Sequence, residues 1–402
     1  MMKIDDARQV ILSRVKKLAP EKLYIQDALG RYLAEDVRSP IAIPTVDNSA
    51  MDGYAVRTRD VIASGTRLSV LYDLPAGSLP QGSVGPNQAV RIMTGAPIPP
   101  GADAVVMREQ TDESEEQVII NCVPEKHVNI RFAGEDIALQ DRVLPRGTRL
   151  VPSGIGVLVS IGRSVIYCHQ RPVVAVLGTG DEVVDLDETL VPGKVFTSNA
   201  YTLISLIKEC GGIPLYLGIA GDTRHDLEEK LAMAGRADLI LTSGGVSKGD
   251  YDLVREVMTA GDNHMAFWQV AMKPGRPLAF GEINGIPAIG LPGNPVATMI
   301  FFYQFARPAI LKMMGSKHLL LPSVTAKLQA PLKNKPDRVH FVLGILRRQG
   351  RDLVVASLGT QGSGILSSMT AGNCFIVMPE GKTAIAMNEP VECKIFDMHL
   401  LK

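Results

Sequence analysis

At 402 residues the chain is too long for one ordinary hydrophobic core, so roughly two to four domains are expected. Hydrophobic residues make up 46% and charged residues 21%, a composition that can bury a sizeable core and excludes an intrinsically disordered chain. Lys plus Arg and Asp plus Glu each number 42, a formal charge of +0, which argues against nucleic acid as the main partner. The five cysteines are scattered and lack C-x-x-C spacing, as expected of reduced thiols rather than a zinc site or disulfide framework. The N-terminal MMKIDDARQVILSR carries acids where a signal peptide needs an apolar region. The most apolar stretch, 296–311, is broken by Gln304, Arg307 and Pro308, so no bilayer span is expected. The chain reads as a cytoplasmic protein with neither membrane nor nucleic acid as partner.

Ile4, Ala7, Ile11, Val15 and Leu18 recur at helical spacing and stop before Pro20, which predicts an amphipathic helix. A second short helix is expected over 25–29, capped by Gly30. Pro40 and Pro44 then punctuate an extended stretch that runs into TVDNSAMDGYAVR. Up to about Asp136 the runs AVRIMTGAPIP, ADAVVMREQT and EQVIINCV alternate between glycines and prolines, which predicts a small all-β insertion. A helical pattern over roughly 152–161 is expected to rejoin the N-terminal helix in one elongated, discontinuous domain.

Three strand-like runs follow, each ending in a glycine-rich turn with a polar or acidic residue: VVAVLGTGDE, DLILTSGGVSKGDYD and IPAIGLPGNPVA. Continuous apolar runs separated by helical patterns predict a mostly parallel sheet, covered on both faces in doubly wound fashion. Ligands of such sheets bind at the carboxyl ends of the strands, where glycines let backbone N–H groups approach an anion beside a helix N-terminus. GTGDE lacks the dinucleotide G-x-G-x-x-G, and GGVSKGD lacks the nucleoside-triphosphate P-loop pattern, so each turn alone reads as a solvated bend. Three together, followed by the basic turn Lys273-Pro274-Gly275-Arg276, shift the reading to a site. Glu182, Asp222, Asp250 and Asp252 with Lys273 and Arg276 suit a phosphate held through a divalent cation. On local sequence Asp222 is equally a helix cap, as is Thr223, with Asp226 in the first turn. Beyond 314 the runs SVTAKLQAPL, RVHFVLGILRRQG, DLVVASLG, CFIVMP and VECKIFDM alternate at period two, which predicts a C-terminal β-barrel or sandwich.

In the insertion, Asp47, Asn48, Ser49 and Asp52 surround a turn, Thr94-Gly95 ends a strand, and NIRFAGEDI supplies Arg131, Glu135 and Asp136. Asx turns and surface ion pairs are the plain reading of these residues; an arginine fork for phosphate is the functional one. The seven histidines are dispersed, and His225, His264 and His340 read as surface or capping residues.

In this order, DNSAMDGYAVR, RIMTGAP, GEDI, TGDE, SGGVSKGDYD, MKPGRP and LPGNPV resemble the molybdopterin molybdenumtransferase family, which includes the C-terminal domain of gephyrin. The likeness extends over nearly the whole chain. It implies insertion of molybdate into adenylyl-molybdopterin with release of AMP, assisted by Mg2+, in an elongated homodimer whose active sites are shared between subunits. Transient contact with other cofactor-synthesis proteins would accompany that task. The architecture implied is α/β plus β: an N-terminal dimerisation domain (1–41 and 139–170), a β-rich insertion (42–138), a central α/β molybdopterin-binding domain (171–316) and a C-terminal β domain (317–402).

Carried onto this sequence, the insertion would contribute Asp52, Thr94, Arg131 and Asp136. The central domain would contribute Gly180, Glu182, Asp222, Ser247, Asp250, Asp252, Lys273, Arg276, Pro292 and Pro295, with Asp222 and Asp252 as magnesium ligands. Asp52, Thr94, Asp136, Glu182, Asp222, Asp252 and Lys273 take the catalytic roles. Arg338 and Ser363 match positions of an oxyanion site. Gln269 stands where some members have lysine and Ala297 where many have serine, and both changes weaken the oxyanion-binding capacity expected there. Two other readings fit parts of this pattern: an adenylyltransferase that shares the central domain, and a non-enzymatic dimeric scaffold.

Overall fold

The computed structural model describes residues 1–114, 116–245, 253–261, 263–333, 337–358 and 366–397. Two compact units divide the chain. One comprises Met1–Ala34, Gly147–Leu150 and Ile166–Lys402, the other Glu35–Arg146 and Val151–Val165.

The second unit is built on a six-stranded sheet. Its strands are β1 (Gly53–Val56), β2 (Thr66–Leu74), β3 (Gln88–Ile92), β4 (Ala104–Met107), β5 (Thr111–Glu113) and β6 (Gln117–Ile120), in the order β4-β1-β3-β2-β6-β5. Strand β1 is buried at every position because both faces are covered: Tyr54 and Val56 pack with Leu68 and Val118, and Ala55 with Val90 and Val105. The predicted all-β insertion is the heart of this unit, which also holds the helix Pro152–Ser160, opened by its proline.

In the first unit the N-terminal helix spans Ile4–Arg14 and ends one turn before the periodicity does. Val15 turns extended, and the Leu18 N–H donates to the Met313 carbonyl instead of closing another helical turn. The short helix expected over 25–29 is a single 3-10 turn, Ile25–Asp27. Five residues give too few i→i+4 bonds to repay the ordering of a helix nucleus.

The central sheet contains β7 (Val173–Thr179), β8 (Ile213–Ala220), β9 (Leu239–Ser243), β10 (His264–Gln269), β12 (Pro277–Ile283) and β13 (Ile286–Leu291), ordered β8-β7-β9-β13-β12-β10. The first four in this order are parallel, and β12 and β10 add an antiparallel edge. Alternate residues of β7 serve different cores. Val174 and Val176 pack towards helices α1 (Ser198–Cys210) and α4 (Pro295–Phe301), and Ala175 and Leu177 towards α2 (Arg224–Ala232) and α3 (Leu253–Thr259). Both faces are dry, so the sequence shows an unbroken apolar run. Helix α4 continues through a π-helical turn, Phe302–Ala306, into α5 (Arg307–Met313). Gln304, the polar residue that interrupts the apolar run, is partnered by the Arg8 guanidinium at 3.2 Å.

A third six-stranded sheet contains β11 (Met272–Lys273), β14 (Ser323–Leu328), β15 (Val339–Gln349), β16 (Asp352–Ser357), β17 (Cys374–Met378) and β18 (Pro390–Ile395). They run in the order β11-β15-β16-β14-β18-β17, and pairing of β15 with β17 closes a barrel around Leu328, Val342, Leu346, Val355, Cys374 and Cys393. The α/β-plus-β architecture therefore stands as expected. No helix among the described residues is long and apolar enough to cross a membrane.

Candidate active site

Parallel register brings the three glycine turns to one edge of the central sheet: Gly178 lies opposite Ser243, and Ser243 opposite Leu291. Over this edge lies a cavity of ≈ 360 Å³, lined by Thr179, Glu182, Ser198, Asn199, Gly244 and Pro295 among others. Helix α1 points its N-terminus into it, and Thr197 makes no capping hydrogen bond, which leaves the first-turn N–H groups and the helix dipole to a ligand. The walls are tied by side chains. The Asn199 amide donates to Ser243 Oγ and to the Gly293 carbonyl, both at 2.8 Å. The Thr179 hydroxyl donates to the Ser243 carbonyl at 3.3 Å, and the Thr298 hydroxyl to the Pro292 carbonyl at 2.5 Å. Gly244 sits at φ +97, and a Cβ there would lie 2.6 Å from Thr179 Oγ1, so this turn requires glycine.

The Glu182 carboxylate folds back over Gly180 at the cavity wall. Asp222 and Asp181 hold each other: the Asp222 N–H donates to Asp181 Oδ1 at 2.9 Å, and the Asp181 N–H to Asp222 Oδ2 at 3.3 Å. The cap of α2 is Thr223, which accepts the Asp226 N–H, so Asp222 is free of that structural duty. Asp185, two residues past Val183, is buried enough to raise its pKa, yet the hydroxyls of Tyr216 and Tyr201 outweigh burial and hold it below the ordinary range. Ser247, Asp250, Asp252 and Ser363 lie outside the described residues. Among the described residues no group of three or more His, Cys, Asp or Glu side chains is arranged to hold a metal ion.

A second cluster forms where the basic turn meets the barrel. Lys273 sits in β11, directly opposite His340 in the parallel ladder with β15. Arg338 donates to the Met272 carbonyl at 3.5 Å, and both Arg338 and Arg276 approach Asp337, at 3.3 and 3.9 Å. Helix α4 joins this cluster to the cavity. Pro295 lines the cavity, while a Cβ on Gly275 of the basic turn would meet the Phe301 ring at 2.8 Å and Ala297 at 3.4 Å. The buried Ala297 is thus a packing residue beneath the turn. Gln269 is half-buried at the end of β10, and its carbonyl accepts the Met2 N–H at 3.1 Å. His340 corrects the surface-or-cap reading of the sequence. Barrel closure half-buries it, its Nδ1 is enclosed without a hydrogen-bond partner among the described residues, and burial, then Lys273 and Arg338, lower its pKa to about 4.

In the second unit, Asp52 and Thr94 come together. Asp52 Oδ1 accepts both the N–H and the hydroxyl of Thr94 at 2.7 Å, and these two bonds hold its pKa below the usual carboxylate range. The strand Asn48–Ser49 links this turn to Arg131: the Gly95 N–H donates to the Ser49 carbonyl, and Arg131 pairs opposite Asn48. Arg131 and Asp136 are both exposed, and the Asp136 N–H donates to the Ile43 carbonyl. Arg108, gripped by Glu113 at 2.8 Å, adds a positive charge near Asp52 that sequence reasoning did not single out. Asn199, Ser243, Thr298 and His340 were also missed. For Asn199 a signal existed, since Thr197-Ser198-Asn199 is a run of cap-type residues at a helix start.

Three family models match successive segments of the chain. Residues 2–162 match the MoeA N-terminal region (domain I and II), 175–312 a probable molybdopterin binding domain, and 325–396 the MoeA C-terminal region (domain IV). The chain is 38% identical to a molybdopterin molybdenumtransferase of Haemophilus influenzae, over 100% of both chains. It is 34% identical to one of Nostoc sp., over 97% of this chain and 93% of the relative. The crystal structure of a molybdopterin biosynthesis moeA protein from Pyrococcus horikoshii superposes with a TM-score of 0.86 at 27% identity, over 98% of this chain and 100% of that one. The chain belongs to the molybdopterin molybdenumtransferase family.

Proposed function

We infer that this chain transfers molybdenum from molybdate to adenylyl-molybdopterin and releases AMP, completing the molybdenum cofactor. The observation that carries this reading is full-length kinship at 38% identity in a chain with a cavity suited to an anionic, nucleotide-bearing ligand. In the transfer a water or molybdate oxygen attacks the phosphoanhydride, AMP leaves from the molybdopterin phosphate, and the two dithiolene sulfurs replace oxygen ligands of molybdate, which depart as water with the thiol protons. The strand-end cavity would hold the adenylyl-molybdopterin, with backbone N–H groups of the glycine turns and of α1 facing its phosphates. Gly180, Pro292 and Pro295 would shape it, and Ser247 and Asp250 would belong to the same set. Lys273, Arg276, Arg338 and Ser363 would receive molybdate as substrate and offset charge on its oxygens.

Carboxylates at strand ends suit a hard cation, which takes a few such oxygens together with those of a substrate phosphate. Asp222 and Asp252, with Glu182 adjacent, would hold Mg2+, whose chemistry there is to offset charge at the bond that breaks. Glu182 and Asp222 would also orient the attacking oxygen. Asp52, Thr94, Arg131 and Asp136 would complete the site from a partner subunit's insertion, in a cytoplasmic homodimer of four-domain chains. The Thr94 donors and the nearby Arg108 keep the Asp52 carboxylate charged, as such a role requires. Purified protein tests the reading: AMP should appear from adenylyl-molybdopterin only when molybdate is added. Synthesis of adenylyl-molybdopterin from ATP would identify an adenylyltransferase instead, and neither reaction would leave a scaffold.

A further inference from the structure

Of the ten phenylalanines, Phe196 alone has no ring partner among the described residues. Those of the core pack in pairs, such as Phe267 with Phe280 and Phe301 with Phe305. Phe196 instead lines the strand-end cavity and is 39% exposed. A lone exposed apolar side chain needs no explanation on an open surface. This one stands in a concave site of ≈ 360 Å³, where an incoming ligand displaces the water on it. Val183 and Val195 line the same cavity, so part of its wall is apolar. The ring is also held in place. Val195–Phe196 pairs in parallel with Val183–Val184, the Val195 N–H donating to the Glu182 carbonyl at 2.8 Å and the Thr197 N–H to the Val184 carbonyl at 2.9 Å. Just beyond Val184, the Asp185 carboxylate accepts the hydroxyls of Tyr201 at 2.8 Å and Tyr216 at 2.7 Å. A ring carried on so tied a ribbon costs little to order when a ligand arrives.

Phe196 stands two residues ahead of Ser198, the first residue of α1, whose first-turn N–H groups are open to an anion. Two residues of chain span at most roughly 7 Å. A group stacked on the ring and a phosphate at the helix N-terminus therefore fall within the reach of one nucleotide-sized molecule. We propose that Phe196 is a specificity-determining residue of the cavity, its ring stacking on a flat heteroaromatic ring of the bound substrate while the N-terminus of α1 faces that substrate's phosphate. The proposal rests on the reading of the cavity as the adenylyl-molybdopterin site. A phenyl ring recognises a π-face without reading hydrogen bonds. Adenine and pterin both offer such a face, and a base-free sugar phosphate does not.

The purified full-length protein is titrated calorimetrically with AMP, with a pterin monophosphate and with ribose 5-phosphate, which carries the phosphate without a base. Phe196→Leu removes the π-face and keeps an apolar side chain, and Phe196→Tyr keeps the face. The expected result in Phe196→Leu is a roughly tenfold loss of affinity for one of the two ring-bearing probes, with Phe196→Tyr within about threefold of the parent. Affinity for ribose 5-phosphate should not change in either variant. The probe that shows the loss names the ring stacked here. If Phe196→Leu fails to fold, Phe196→Met reads the same loss. Parent-like affinity of the folded variants for both AMP and the pterin overturns the stacking role and keeps the cavity as the nucleotide site. An equal loss for ribose 5-phosphate overturns it too, because Phe196 would then support the phosphate end alone. Absence of binding of all three probes by the parent overturns the stacking role and the reading of the cavity together.

Discussion

The strand-end cavity and the barrel mouth are built on opposite principles, although both stand in one unit and α4 touches both. In the cavity, wall groups satisfy each other: Asn199 binds Ser243 and Gly293, and Thr179 binds the Ser243 carbonyl; behind the wall Thr298 binds Pro292, and Asp181 and Asp222 exchange N–H bonds. A wall whose bonds are already made does not reorganise when ligand arrives, so little affinity is lost to ordering. Among the described residues at the barrel mouth, Asp337 alone pairs with Arg276 and Arg338, Lys273 has no ion pair, and His340 Nδ1 has no hydrogen-bond partner. Positive charge is left there for a ligand to neutralise. On the proposed reading, shape would hold adenylyl-molybdopterin in the cavity and charge would hold molybdate at the barrel mouth.

The largest effect should come from breaking the cavity's shape. Gly244→Ala forces a Cβ against Thr179 at a backbone angle that only glycine adopts without strain. Binding of adenylyl-molybdopterin should be lost, and denaturant titration should show about 1–3 kcal/mol of destabilisation. A smaller loss is expected at a charge held by neutral donors. Asp52→Asn keeps an acceptor for Thr94 but not the negative charge, so turnover should fall roughly a hundredfold with an unchanged melting temperature.

The smallest effect reads the barrel mouth through pH. Burial and the neighbouring cations lower His340 from an ordinary 6.5 to about 4 in the folded protein. Below 6.5 the unfolded chain takes up this proton before the folded one, so stability falls as pH drops through that window and levels off near 4. His340→Asn should remove that part of the slope, measurable by denaturation at pH 7 and pH 5.

Much of this was legible in the sequence, for reasons that also mark where legibility stopped. Glycines at the ends of VVAVLGT, LILTS and IPAIGL announced the cavity because a buried parallel strand must be apolar throughout and must turn sharply at its end. The basic turn and Thr223 as a cap candidate were equally local signals. The Asp181–Asp222 exchange spans 41 residues, and the clamp from Asn199 to Gly293 spans 94; neither has a periodic trace. His340 was misread because its surroundings depend on two long-range pairings, β11 with β15 and β15 with β17, that alternation alone does not specify. The place of Ala297, buried beside Gly275 of the basic turn, likewise has no trace in the local sequence.

The most direct test of two differently built half-sites is a pair of titrations on two variants. Asn199→Asp exchanges the donor that ties Ser243 and Gly293 for an acceptor, and Arg338→Ala removes charge at the barrel mouth. Concentrations for half-maximal AMP release are then measured against adenylyl-molybdopterin and against molybdate. Asn199→Asp should raise the requirement for the pterin nucleotide by about tenfold or more and leave that for molybdate nearly unchanged, and Arg338→Ala should do the reverse. Equal shifts for both substrates in both variants would contradict the separation and make cavity and barrel mouth a single binding surface.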